Sequence, residues 1–224
     1  MFIPLVQDFV EKRVSAQDFE TRYFRLVREY PGKLDARVSK AVNYLFCEVD
    51  ALVLDERLSD PDDPDQIDEA TLWMCAKHAL RSLIRVGEAA DIDDSVESLF
   101  TASHSEDWDT RDRAAFLLAA WLPHPDIEQR LIEMLHDVNI AVQVSATESL
   151  VTQGERSAIL AVLRDFGERI DDPDTYSMAT KLHELQGCGS APILQQARAI
   201  LAEGTTPSVE AGIREVERLF GHLR

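Results

Sequence analysis

Residues 110–118 read TRDRAAFLL, and 32 residues further on residues 142–150 read VQVSATESL. In both, apolar or small side chains recur at three and four residues, a spacing that keeps them on one face of an α-helix rather than alternating across a strand. The same shift of 32 aligns Leu99 with Leu131 and Leu163, Ala114 with Ala146 and Met178, and Leu118 with Leu150 and Leu182. Helical periodicity within one segment does not produce a register of that length. A period of this size marks helical units stacked in series, each burying an apolar face against the next. Residues 91–224 are therefore predicted to form a helical repeat domain, in which Ala114 and Ala146 let neighbouring helices approach closely and the leucines fill the seam. Val209, Ile213, Val216, Leu219 and Phe220 form one more apolar face, which would close the stack.

Upstream, the pattern is again helical but without the repeat. Phe2, Leu5, Val6 and Phe9 mark a first helix. Ser15, with Asp18 three residues on, reads as the N-cap of a second, carrying Phe19, Tyr23, Leu26, Val27 and Tyr30 until Pro31–Gly32 stops it. A third begins at Asp35 and aligns Val38, Val42, Leu45, Phe46, Val49 and Leu52. Asp68 reads as the N-cap of a fourth, with Leu72, Cys75, Ala76, Ala79, Leu80 and Leu83 facing inward. The prediction is an all-α chain: an N-terminal four-helix bundle over residues 1–90, then the repeats.

Between the third and fourth helices lies LSDPDDPDQIDE, residues 58–69, with six carboxylates and no positive charge; from Glu48 to Glu69 there are ten acids and one base, Arg57. Pro61 and Pro64 keep this stretch out of a helix. Like charges about 4 Å apart repel by roughly 1 kcal/mol even in water, so the stretch is either solvated or matched by a positive partner outside the chain. A calcium loop is a poor alternative, because Pro64 occupies a ligand position and the glycine of a tight loop is missing.

The net charge of -18 is unsuited to a nucleic-acid backbone, which needs clustered Lys and Arg, and favours a basic protein partner. In residues 91–224 acids outnumber bases about two to one, against a DNA-active repeat enzyme, which would need a positive face. No apolar run is long enough to span a membrane, and MFIPLVQDFVEKR lacks the pattern of a secretory signal, so the expected location is cytoplasmic. Cys47, Cys75 and Cys188 show no CxxC pair and are expected to be buried or half-buried. The six histidines, 78, 104, 124, 136, 183 and 222, form no i, i+4 pair, and GCGSAP (187–192) carries no lysine for a phosphate cradle. Neither a metal, a cofactor nor a catalytic set is predicted. Trp73 and Trp108 are candidate interface anchors, whereas Trp121, ending FLLAAWL, is expected in the core.

Two resemblances add to this. TRDRAAFLL and VQVSATESL resemble the second helix of HEAT-type repeats, with Arg111 at the family's basic position, Gln143 departing from it, and DTYSMATKL (174–182) departing further. The likeness covers roughly residues 94–220. Residues 2 to about 84 resemble the colicin D type of bacterial immunity protein, in LVQDFVEKRVSAQDFETRY (5–23), NYLFCEVDALVLD (43–55), the acid-rich connection and QIDEATL (66–72). That resemblance implies a protein that binds and silences a cognate basic toxin, of a kind that cleaves RNA. An acidic surface can occupy a cleft built for phosphates. The implied toxin-binding residues are Asp55, Glu56, Asp60, Asp62, Asp63, Asp65, Asp68 and Glu69, acting without catalysis, in a protein for which a monomer suffices. The competing expectation is a HEAT-type interaction scaffold with no toxin partner.

Overall fold

In a computed structural model the chain divides into two compact units, Met1–Asp91 and Ile92–Arg224. The structure describes residues 1–55, 57, 60, 63, 66–88 and 95–221. Among these the chain is all-α, with twelve α-helices and a single short 3₁₀ turn.

The first unit holds α1 (Phe2–Val10), α2 (Ala16–Arg28), α3 (Ala36–Asp50) and α4 (Glu69–Glu88). The ends of α2 and α3 follow from their caps. Ser15 Oγ accepts the amide of Asp18 at 3.2 Å and Asp35 accepts that of Arg37 at 2.9 Å, satisfying amides that a helix start leaves unpaired. α4 packs on α1 and α3, α1 on α2, and α2 on α3. Phe9 stacks on Phe19 with centroids 4.3 Å apart, and each such ring taken out of water contributes about 1.5–3 kcal/mol. Tyr23 is fully buried; its hydroxyl donates to Val42 O at 2.9 Å, and burial pushes the phenol far above its usual range. Trp73 is half-buried, with its indole N–H donating to Val10 O at 2.9 Å. The ammonium groups of Lys12 and Lys77 sit 5.7 and 4.6 Å from its ring centre. Cys75 is buried as expected, but Cys47 is exposed, because two residues on from Leu45 it points away from the Val42–Leu45–Val49 face.

The second unit runs α5 (Val96–Ala102), α6 (Trp108–Leu118), α7 (Pro125–Met134), α8 (Ile140–Gln153), α9 (Arg156–Glu168), α10 (Thr175–Gly187), α11 (Ile193–Glu203) and α12 (Pro207–Phe220). Leu99, Leu131 and Leu163 fall on α5, α7 and α9, and the two other triplets on α6, α8 and α10; all nine residues are buried. α8 lies between α6 and α10. Ser145 hydrogen-bonds Asp112, and Ser149 Oγ donates to Ala115 O at 2.9 Å, so α6 and α8 run parallel, offset by 33 to 34 residues. α12 packs chiefly on α9. There two glycines meet. A Cβ on Gly212 would lie 1.9 Å from Leu163 O, and one on Gly167 1.9 Å from Ser208 O, so this crossing exists only because both side chains are absent. Trp121 is 43% exposed rather than core, since α6 ends at Leu118 and the 3₁₀ turn Ala119–Trp121 rotates the indole off the helix's inner face.

Candidate functional site

The acidic connection leaves α3 and returns to α4 through a closed neck. Leu52 and Ile67 form a parallel bridge, with Val53 N–H donating to Ile67 O and Ile67 N–H to Ala51 O, both at 3.0 Å. Residues 53–66 are thus a loop whose ends are pinned, which lowers the entropy it loses on meeting a partner. Inside it, Gln66 acts as a staple: its Oε1 accepts the amide of Asp60 at 2.8 Å and its Nε2 donates to Asp63 Oδ2 at 3.0 Å. The amide of Asp63 also reaches Asp60 O at 3.1 Å. A neutral amide orders two acidic residues here without cancelling their charge.

The implied binding residues separate into four groups. Asp55 has its counter-charge within the chain. The Arg57 guanidinium closes a two-bond pair with it, Nε to Oδ1 at 2.9 Å and Nη2 to Oδ2 at 2.6 Å. Those bonds, helped by the Arg57 backbone N–H, hold the Asp55 carboxyl below the usual carboxylate range. Asp68 caps α4, accepting the Thr71 amide at 2.7 Å, as its sequence position predicts. Asp68, Asp60 and Glu69, the first residue of α4, are exposed, whereas Asp63 is half-buried, accepting from Gln66. Glu56, Asp62 and Asp65 lie outside the described residues. A shallow open concavity lined by Gln17, Leu54, Asp55 and Arg57 adjoins the neck, with Leu54 43% exposed on its wall.

Pinned at its neck and stapled by one amide, this loop presents carboxylates on the α3–α4 side of four packed helices. Residues 1–83 match the family described as bacterial self-protective colicin-like immunity. The immunity-family match spans α1 to α3, the whole acidic connection and most of α4, and ends before the second unit begins. It supports a bacterial toxin-immunity role, and with it the binding of a cognate toxin. No curated protein and no solved structure matches the chain. Among the described residues, no helix is long and apolar enough to cross a membrane, and no three His, Cys, Asp or Glu side chains are grouped to hold a metal.

The residues that give the loop its form were missed by sequence reasoning. In the sequence Gln66 is a neutral residue amid acids, and an amide between carboxylates is what can bridge them without charge. The sequence pattern places Leu52 on the helical face of α3, whereas α3 ends at Asp50 and Leu52 bridges Ile67; the adjacent Val53 and Ile67, an apolar pair on either side of a polar run, are the sign of a closed neck.

Proposed function

We propose that the chain neutralises a cognate nuclease toxin by setting the acidic connection of its first unit into the toxin's basic, phosphate-holding cleft. The observation that carries this reading is the loop closed at its neck, on which Asp60, Asp68 and Glu69 are exposed to solvent. A loop closed at its neck has less entropy to lose than an open one, and exposed carboxylates steer a basic partner at rates up to about 10⁸–10⁹ M⁻¹s⁻¹. Asp60, Asp62, Asp63, Asp65 and Glu69 are the residues we assign to the contact, with Glu56 and the free face of Asp68 beside them. Asp55 serves the loop rather than the partner, holding Arg57.

The second unit, on this proposal, is a HEAT-like stack that supports or widens the contact. The parallel succession of α6 and α8 and the burial of all three repeat triplets support that architecture. Residues 1–90 and 91–224 are then the binding and repeat domains.

The test uses tagged full-length protein and its Asp60, Asp62, Asp63, Asp65→Asn variant to capture partners from the source organism. The expected result is a basic protein that the wild type holds and the variant loses, and that cleaves RNA once released. Association should slow in the variant and depend less on salt, because screening then has fewer charges to act on. Equal capture and equal association at low salt by both proteins would remove the acidic loop from the mechanism.

A further inference from the structure

Three loops of the second unit, 103–107, 135–139 and 169–174, are stitched side by side by two inward-turned arginines. Arg111 donates to Ser105 O at 2.8 Å and Glu106 O at 2.9 Å, and forms a two-bond pair with Asp137, both bonds 2.7 Å. Arg169 donates to Leu135 O at 2.9 Å and to Asp172 at 3.0 Å, and reaches Gln143 Oε1 on α8 at 3.0 Å. The loops lead into α6, α8 and α10, so the starts of these helices share one edge.

That edge shows solvent four large apolar side chains: Trp108 is 47% exposed, Val138 96%, Ile170 43% and Tyr176 77%. Helix starts explain the acids around them, since Asp107 accepts the Thr110 amide and carboxylates are favoured there. They do not explain these four. Val138 sits where a residue preceding an N-cap can pack back on its helix, yet it is almost fully exposed, and Trp108 and Tyr176 begin their helices pointing outward. Exposed apolar side chains gathered on one rim mark a surface for a partner, and Trp and Tyr are the types that anchor such contacts. Glu106, Asp107, Asp171 and Asp174 are exposed among them, and the sole Lys or Arg in the three loops is the inward Arg169.

We propose that this edge docks an arginine-rich segment of a partner protein. Guanidinium planes stack on Trp108 and Tyr176 while their charge meets the four exposed acids, and the aliphatic stems cover Val138 and Ile170. A second copy of the chain would set acid against acid at the same edge. The proposal concerns the second unit alone and stands whether or not the first unit binds a toxin.

The test is a fluorescence-anisotropy titration of full-length protein at about 150 mM salt, where long-range steering is largely screened. Two labelled peptides of equal length and charge serve as probes, one alternating arginine with alanine and one alternating lysine with alanine. The expected result is about tenfold tighter binding of the arginine peptide, a preference that charge alone does not give. A Trp108→Ser, Val138→Ser, Tyr176→Ser variant, altered only at exposed side chains, loses that preference, whereas Asp60→Asn, Asp63→Asn retains it. Equal binding of the two peptides, no binding of either, or an unchanged preference in the triple variant overturns the proposal. So does sedimentation showing a dimer that the triple variant dissociates, which would give the edge to a second copy.

Discussion

In the first unit Asp60, Asp68 and Glu69 stand in solvent around the α3–α4 loop, whereas in the second Glu148, Glu184 and Asp137 are folded inward against Lys181 and Arg111. Lys181 is 1% exposed, with its ammonium 2.9 Å from Glu184 and 3.3 Å from Glu148. The difference teaches what each set of charges does. Buried charges are tolerated only when paired, so those of the second unit fix which helix lies against which. Exposed carboxylates cost the free protein little and lie where a partner can reach them.

The sharpest way to break this contrast is to remove the buried cation. Lys181→Met leaves Glu148 and Glu184 facing each other inside α8 and α10, and should lower stability by about 3–5 kcal/mol in urea unfolding of the full chain. A loss below 1 kcal/mol would mean that the triad does not hold the two helices together. Next in size, Gly212→Ala should cost about 1–3 kcal/mol, because the added methyl meets the Leu163 carbonyl of α9 rather than a side chain that could turn away. Were packing there loose, alanine's better helix propensity would instead raise stability by up to about 1 kcal/mol.

Two arginine-paired aspartates of the second unit then give opposite responses to acid. Burial would raise Asp137, but the Arg111 hydrogen bonds, the Asn139 amide and the arginine charge outweigh it, so its folded value lies below the ordinary one. Its contribution is present above about pH 3.9 and is lost as pH falls through that lower value. Asp165 is raised by burial, despite the Arg169 and His136 charges that pull it down. Between about pH 3.9 and its raised value the folded state keeps a proton that the unfolded state has released, so this group's contribution declines as pH rises through that window. The stability of Asp165→Asn relative to wild type should therefore improve from pH 4 to 7, and that of Asp137→Asn should worsen as pH rises from 2 to 4. Urea midpoints across that range check both signs; parallel profiles for wild type and variants would show that neither carboxylate is linked to folding. Smallest of all, Asp60→Asn and Asp63→Asn should each shift the melting transition by no more than about 0.5 kcal/mol in stability. A larger loss would make the acidic loop part of the fold's support rather than a presented surface.

Much of this fold was legible in the residues. Ser15, Asp35 and Asp68 announced their helices, because a cap is a local bond between a side chain and an amide two or three residues away. The inward faces of α5 to α10 were legible at Leu99, Ala114, Leu118 and the residues aligned with them, all buried, because a helix packed on a neighbour needs apolar side chains at three- and four-residue spacing. Within the candidate site, the density of acids could be counted, but not that Arg57 would turn to Asp55 or that Gln66 would bridge Asp60 and Asp63. Trp121 and Val138 show the same limit from the apolar side: exposure depends on where a helix ends and what neighbours it, which composition does not encode.

By itself, then, the sequence determined the helical character, the caps and the acidic excess, all of which follow from interactions between residues within about four positions or from simple counting. Only the tertiary structure decided which charges would be cancelled and which presented. That choice depends on contacts such as Arg111 with Asp137, Arg169 with Gln143 and Lys181 with Glu148, between residues 26 to 33 positions apart, whose partners are selected by how the helices pack.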